Sequence, residues 1–476
     1  MTNPAAFSNT TTEQDLKSLD SKTAFLQSPE LLTPGGVEGI CGSHCQQLRE
    51  KLDARTACIG VLGMGYVGLP LAITFAEAGF STIGFDLSQR HVSDLQAGKS
   101  HIGDVKSSRV SALVDDKKFR ATNDFDGLAE CDVTIICVPT PLTEMREPDL
   151  SYVLSATRAV AAQLHPGQLV ILESTTYPGT TDEEMLPILS KGGLNVGHDF
   201  FLAYSPERID PGNEKFPLHK VSKVVGGHTP ECLQVALATY DSIIDQTVPV
   251  SSTRAAELTK LLENIFRSVN IALVNEMALL CDRMGLDVWE IIESAATKPY
   301  GFTRFLPGPG LGGHCIPLDP FYLSWKARQY DFQTKFVELA GEINRQMPSH
   351  VVDKITRALN DKCKSVRGAR IALLGMSYKP NVNDCRESPS LCVAQMLMEL
   401  GADVLLNDPH ADHVRIGGEL CHTQSLEKIL DADCVVLLTD HRAYNYADIA
   451  ARATLIIDTR NAFKAVEAPT AQIIKL

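Results

Sequence analysis

The spacing Gly63-Met-Gly65-Tyr-Val-Gly68 constrains this chain more than any other feature, because of what flanks it. The apolar run 57–62 precedes it and a helical pattern from Leu69 to Gly79 follows, so the glycines fall in a tight strand-to-helix turn. A second apolar strand, Ser81 to Phe85, ends at Asp86, at about the twenty-residue spacing of a ribose-binding acid. Such glycines permit the sharp turn and let backbone amides approach a pyrophosphate at a helix N-terminus, while the acid accepts from ribose hydroxyls. A plain βα turn also carries glycine triplets, and it is the flanking pattern that favours the binding reading. An acid at that place disfavours a 2′-phosphate. The turn therefore predicts NAD rather than NADP, held by Gly63, Met64, Gly65, Tyr66, Val67, Gly68 and Asp86.

Further apolar strands are expected at 133–138, 169–172 and near 201–204, alternating with helical stretches, which is the signature of a doubly wound parallel sheet. From about Arg254 to Met284 apolar residues recur at helical spacing with no Gly or Pro, predicting one long helix. A second helical stretch is expected from Pro320 to Ala358, interrupted near Pro348. Strand patterns resume at 369–374, 402–407, 434–438 and 455–458, behind a turn, Gly375-Met-Ser-Tyr-Lys379, that lacks the full glycine spacing. The expected fold is α/β, with two doubly wound, Rossmann-like domains joined by a long central helix. The expected divisions are an arm at 1–54, a nucleotide-binding domain at 55–250, a helical connector at 251–365 and a second α/β domain at 366–476. The arm is polar, rich in Ser and Thr, and is expected to be partly disordered with a few helical turns.

A chain of 476 residues with 44% hydrophobic and 21% charged residues has material for several cores. A net charge of −14 argues against a nucleic-acid partner, although helix N-termini and local arginines still bind an anionic nucleotide. No apolar run is long enough to span a bilayer, and the first residues lack the pattern of a secretion signal. Thirteen cysteines, several inside apolar runs, read as buried thiols of a cytoplasmic protein. No CxxC pair or His/Cys spacing suggests a metal site.

Chemistry is carried by residues at strand ends and in one glycine-rich segment. Thr140 and Thr175 each follow an apolar strand, where a doubly wound sheet binds ligands; proline-stopped strand ends with capping hydroxyls fit the same pattern. Glu207 and Arg208 follow another strand. Lys260 and Asn264 lie four apart on one face of the long helix, and the pattern alone favours a lysine that reaches solvent over a buried cation. The segment Gly308-Pro-Gly-Leu-Gly-Gly-His-Cys-Ile-Pro-Leu-Asp-Pro320 sets Cys315 between Gly312, Gly313 and Asp319. Glycines permit close approach of a substrate carbon to a thiolate nucleophile, whereas a free cysteine is more often simply buried. His314 is adjacent and reads as a positional residue.

In this order the motifs closely resemble the UDP-glucose/GDP-mannose dehydrogenase family from about Ala57 onward. Gly-Gly-His-Cys-Ile-Pro-Leu-Asp-Pro and Glu-Ser-Thr-Thr-Tyr-Pro-Gly resemble the branch that oxidises UDP-N-acetylhexosamines, UDP-N-acetylglucosamine foremost, rather than UDP-glucose enzymes with a Ser-Cys-Phe-x-Lys-Asp version; UDP-N-acetylmannosamine, UDP-glucose or another nucleotide hexose is the alternative substrate. The resemblance implies two NAD-linked oxidations at C6 of the sugar and release of the acid by thioester hydrolysis. It implies Cys315 as nucleophile, Lys260 and Asn264 as the oxyanion-stabilising pair, and Asp319, Glu207 and Thr175 as groups that position water or relay protons. This reverses the reading of Lys260. It further implies NAD contacts at Thr140 and UDP-sugar contacts at Arg208, Gly312, Gly313, Lys379, Arg386 and Arg460. A homodimer through the central helix is expected. The rival class is a silent nucleotide-sugar-binding regulator, which would have lost the cysteine, the lysine or the acid; all three are present.

Overall fold

The computed structural model describes residues 42–143, 145–208, 217–313 and 316–476. The first sheet has eight strands: β1 (Cys58–Leu62), β2 (Ser81–Phe85), β3 (Phe119–Thr122), β4 (Val133–Ile136), β5 (Leu169–Leu172), β6 (Phe201–Tyr204), β7 (Lys223–Gly227) and β8 (Thr247–Val250). Their spatial order is β3-β2-β1-β4-β5-β6-β7-β8. From β3 to β6 every pair is parallel, the 3-2-1-4-5-6 order of a dinucleotide-binding sheet. β7 reverses, pairing antiparallel with β6, and β8 follows β7. The central strands β4, β5 and β6 are buried at every position, because helices cover both faces of the sheet.

The sequence reading placed all of 1–54 in an arm. Residues 1–41 of it lie outside the described residues; Ser43–Asp53, within the stretch expected to hold a few helical turns, form one helix whose Cys45, Leu48 and Leu52 enter the core of the first sheet, against the helix Pro230–Asp241. Three apolar side chains at helical spacing in an otherwise polar run are enough for one buried stripe. Cys45 is disulfide-bonded, which departs from the expectation of thiols throughout; ten cysteines among the described residues are free.

The central helix, Thr253–Met284, is capped at its start by the Ser252 hydroxyl and stopped by Gly285 at φ 68°. The second helical stretch does not break where proline suggested. One helix, Asp319–Arg328, ends before a short turn with Asp331 at φ 52°, and a linking helix, Lys335–Asp361, runs straight through Pro348. Pro348 is buried in the linking helix, and this tertiary packing outweighs the loss of one backbone hydrogen bond. The linking helix packs along the central helix and leads into the second domain.

That domain is a five-stranded parallel sheet of β9 (Arg370–Leu374), β10 (Asp403–Asn407), β13 (Cys434–Leu437), β14 (Leu455–Asp458) and β15 (Gln472–Lys475), in the order β10-β9-β13-β14-β15, beside a hairpin of β11 (His413–Ile416) and β12 (Glu419–His422). The carboxyl ends of both sheets line one cleft of about 1940 Å³. No described helix is long and apolar enough to cross a membrane.

Candidate functional site

The glycine turn forms one wall of the cleft. Gly63 sits at φ 92°, and a Cβ there would meet the carbonyl oxygen of Cys137 at 2.5 Å; a Cβ on Gly68 would lie 1.9 Å from the carbonyl oxygen of Gly63. These two glycines are required by the turn itself. Gly65 differs, since a Cβ there would meet no protein atom within 4 Å and the residue faces the cleft. Its open side is what close approach of a pyrophosphate needs. Tyr66, Val67 and Asp86 also line the cleft. Met64 and Gly68 are buried behind it, the Met64 side chain in the core and its amide donating to Asp86 Oδ2 at 2.9 Å. Ser88 N donates to the other oxygen at 2.8 Å, so two of the carboxylate's roughly four acceptor sites remain for a ribose. These groups fit NAD.

At the base of the cleft four candidate catalytic side chains converge. Lys260 is 6% exposed, donates to the Glu207 carbonyl, and its Nζ lies 3.8 Å from Glu207 Oε2. It does not reach solvent. Asn264 Nδ2 donates to Asp319 Oδ2 at 2.5 Å, and burial pushes the Asp319 pKa up to about 6 against the opposing Asn264 hydrogen bond and Lys260 charge. Thr140 and Thr175 line the same space, the Thr140 carbonyl accepting from Tyr322 Oη at 2.9 Å. Cys315 and His314 lie outside the described residues.

The second domain closes the cleft from the other side. Gly312 and Gly313 line it, yet what they avoid is protein: a Cβ on either would meet Tyr378 at 2.8 Å, and on Gly312 also Pro389. Glycine in this segment makes room for the neighbouring domain as well as for a substrate. Arg386 is held by the Asp384 carboxylate, its Nη2 2.7 Å from Oδ2, and lies 5.5 Å from the Tyr66 ring centre, joining the two walls. Arg460 and Lys379 also face the cleft, the half-buried Arg460 donating from Nε to the Leu438 carbonyl. Arg208 is tied to Glu263 and donates to the Ser222 carbonyl.

The second sheet repeats the nucleotide turn with its acid closed. Met376 N and Ser377 N donate to Asp408 Oδ2 at 2.7 and 2.9 Å, as Met64 N does to Asp86, but the Ser377 hydroxyl and His441 Nε2 also contact that oxygen. Burial would raise the Asp408 pKa; the His441 hydrogen bond and the backbone amides outweigh it and hold it at about 2. A 6%-exposed carboxylate so filled has no site for a ribose. Sequence reasoning passed over Glu173 and Lys223, a buried ion pair whose acid lines the cleft, although Glu173 opens the quoted Glu-Ser-Thr-Thr-Tyr motif.

Fold and cleft together define a dinucleotide-linked oxidoreductase with a second domain placed to hold an anionic substrate. The chain matches the UDP-glucose/GDP-mannose dehydrogenase family in its NAD binding domain (residues 57–244), central domain (254–346) and UDP binding domain (372–465), and it belongs to that family. It is an NAD-dependent nucleotide-sugar dehydrogenase. It is 36% identical to the UDP-N-acetyl-D-glucosamine 6-dehydrogenase of Pseudomonas aeruginosa over 74% of this chain and 82% of that one. It is equally 36% identical to the UDP-N-acetyl-D-mannosamine dehydrogenase of Pyrococcus horikoshii, over 85% and 96%. A solved structure of the UDP-D-ManNAc dehydrogenase from Pyrococcus horikoshii superposes with a TM-score of 0.80, covering 88% of this chain and 98% of that chain.

Proposed function

We propose that this enzyme oxidises C6 of UDP-N-acetylglucosamine to the carboxylate, giving UDP-N-acetylglucosaminuronate, a precursor for surface polysaccharide, through a thioester on Cys315. The observation that carries the reading is the buried group Lys260, Asn264, Asp319 and Glu207 at the base of a cleft walled by both sheets. A fixed ammonium and amide in a water-poor site stabilise the oxyanion that develops at C6. NAD supplies the hydride acceptor for both oxidations. Cys315 adds to the C6 aldehyde, and loss of the second hydride leaves the thioester. Glu207, Thr175 and Asp319 then hold and deprotonate the water that hydrolyses it. Lys379, Arg386 and Arg460 hold the diphosphate, the two planar guanidinium groups by paired N–H donors and the Lys379 ammonium as a point charge.

The motif Ile316-Pro-Leu supports an N-acetylated sugar, and the equal identity to a mannosamine enzyme makes UDP-N-acetylmannosamine the rival substrate. A spectrophotometric panel of nucleotide sugars decides between them. We expect NADH with UDP-N-acetylglucosamine at about two per sugar, the ratio of a four-electron oxidation; turnover with the mannosamine sugar alone would sink the choice. Cys315→Ser and Cys315→Ala should both abolish acid formation, and undiminished acid in either would remove the covalent route.

The assembly we infer is a homodimer along the central helix. Leu258, Leu262, Phe266, Leu273, Leu280 and Met284 form an exposed apolar stripe on it, each at least 43% exposed, at the four- and seven-residue spacing that keeps side chains on one helix face.

A further inference from the structure

Lys223 opens β7, and in an all-parallel sheet the first residue of a strand lies at the end away from the ligand cleft. Here β7 runs against β6, with Tyr204 opposite Gly226, so the start of β7 extends past the end of β6 toward the cleft. The Lys223 ammonium is 4% exposed and pairs with the Glu173 carboxylate, itself 1% exposed. Tyr240 donates to the other Glu173 oxygen at 2.9 Å and stacks its ring 4.9 Å under the ammonium. The same ammonium donates to the Pro206 carbonyl at 3.4 Å.

Glu173 directly follows β5 and stands two residues before Thr175; Pro206 stands immediately before Glu207. One buried cation therefore joins the loop after β5 to the loop after β6. A second tie runs alongside, since the Ser205 hydroxyl donates to the Val224 carbonyl at 2.8 Å. A buried pair gives little net stability over apolar residues of similar volume, because desolvating two charges offsets their attraction. What the pair does supply is fixed geometry. We propose that Lys223, with Glu173 and Tyr240, is a positioning unit for the reaction, setting the distance between Thr175 and Glu207 across the cleft floor. It rests on the roles proposed above for those two residues. The three act through the loops they hold.

The double variant Lys223→Met/Glu173→Met removes both charges and leaves neither unpaired. It is expected to fold with wild-type thermal stability, keep its KM for NAD, and lose about 100-fold in kcat, the scale of a misplacement near 1 Å. Lys223→Arg, which keeps the charge, is expected to recover much of that rate. Hydrogen exchange of peptides covering 173–176 and 205–208 needs no substrate and should be faster in the double variant in both segments. Wild-type kcat with wild-type exchange in the double variant overturns the proposal. Should that variant not fold, the same pair of readings on Tyr240→Phe, expected to show a smaller loss, decides it. Absence of turnover by the unaltered enzyme with every sugar would instead defeat the proposed function, and the exchange reading would still judge the positioning unit.

Discussion

Asp319 shows how burial sets chemistry at one residue. It is 3% exposed, and its carboxyl titrates near 6 because burial disfavours the charge more than Lys260 and Asn264 restore it. If the ionised form is the working one, turnover should fall on the acid side with an apparent pKa near 6, and Asp319→Asn should lose both the limb and most of the rate. The stability sign is the opposite. A carboxyl whose folded pKa is raised contributes most below its ordinary value of 3.8, and that contribution is lost as the pH rises through about 6. Between about pH 4 and pH 7 the wild type should therefore lose on the order of 3 kcal/mol relative to Asp319→Asn, read from urea melts at each pH. A constant difference would count against a neutral buried Asp319. The acid was legible in the sequence as a neighbour of Cys315; its protonation was not, since that depends on a helix 55 residues away.

At the scale of elements, the glycine turn separates folding from binding. Gly65→Ala adds a methyl to open space, so its melting temperature should match the wild type while the KM for NAD rises at least tenfold, a loss of about 1.4 kcal/mol of binding. Gly68→Ala drives a methyl into the Gly63 carbonyl and should lower the melting temperature instead. Equal behaviour of the two variants in calorimetry would refute the division. Other elements escaped the sequence for definite reasons. The helix Ser43–Asp53 buries a narrow stripe inside a polar run, Pro348 is accommodated by packing, and the reversal of β7 has no local signal because strand direction is a property of pairing.

The whole molecule is two sheets facing one cleft, with the central helix as both cleft wall and spine. Lys260 and Asn264 on one face serve the cleft, while Leu262 and Phe266, 64% and 52% exposed, belong to the apolar stripe. Leu262→Asp with Phe266→Asp should convert a dimer to monomer in light scattering, and an unchanged mass would refute the stripe as the interface. The two sheets repeat one turn with opposite outcomes. Asp86 keeps free acceptor sites at the cleft, whereas Asp408 is filled by Ser377 and His441, so the first sheet suits the dinucleotide and the second is left for other contacts.

Local spacing determined much of this protein: the glycine turn with its acid, the long helix from its unbroken periodicity, and the α/β alternation, because each depends on neighbours within a few turns of chain. Lys260 marks the limit of that reasoning. Its pattern favoured solvent, and only packing against the Glu207 loop makes it a buried cation. Gly312 and Gly313 likewise face Tyr378 from another domain, and Lys223 meets Glu173 only because a strand reverses. Partners brought together from 50 or more residues apart are set by sheet order and domain closure, and a sequence records the groups without recording their meeting.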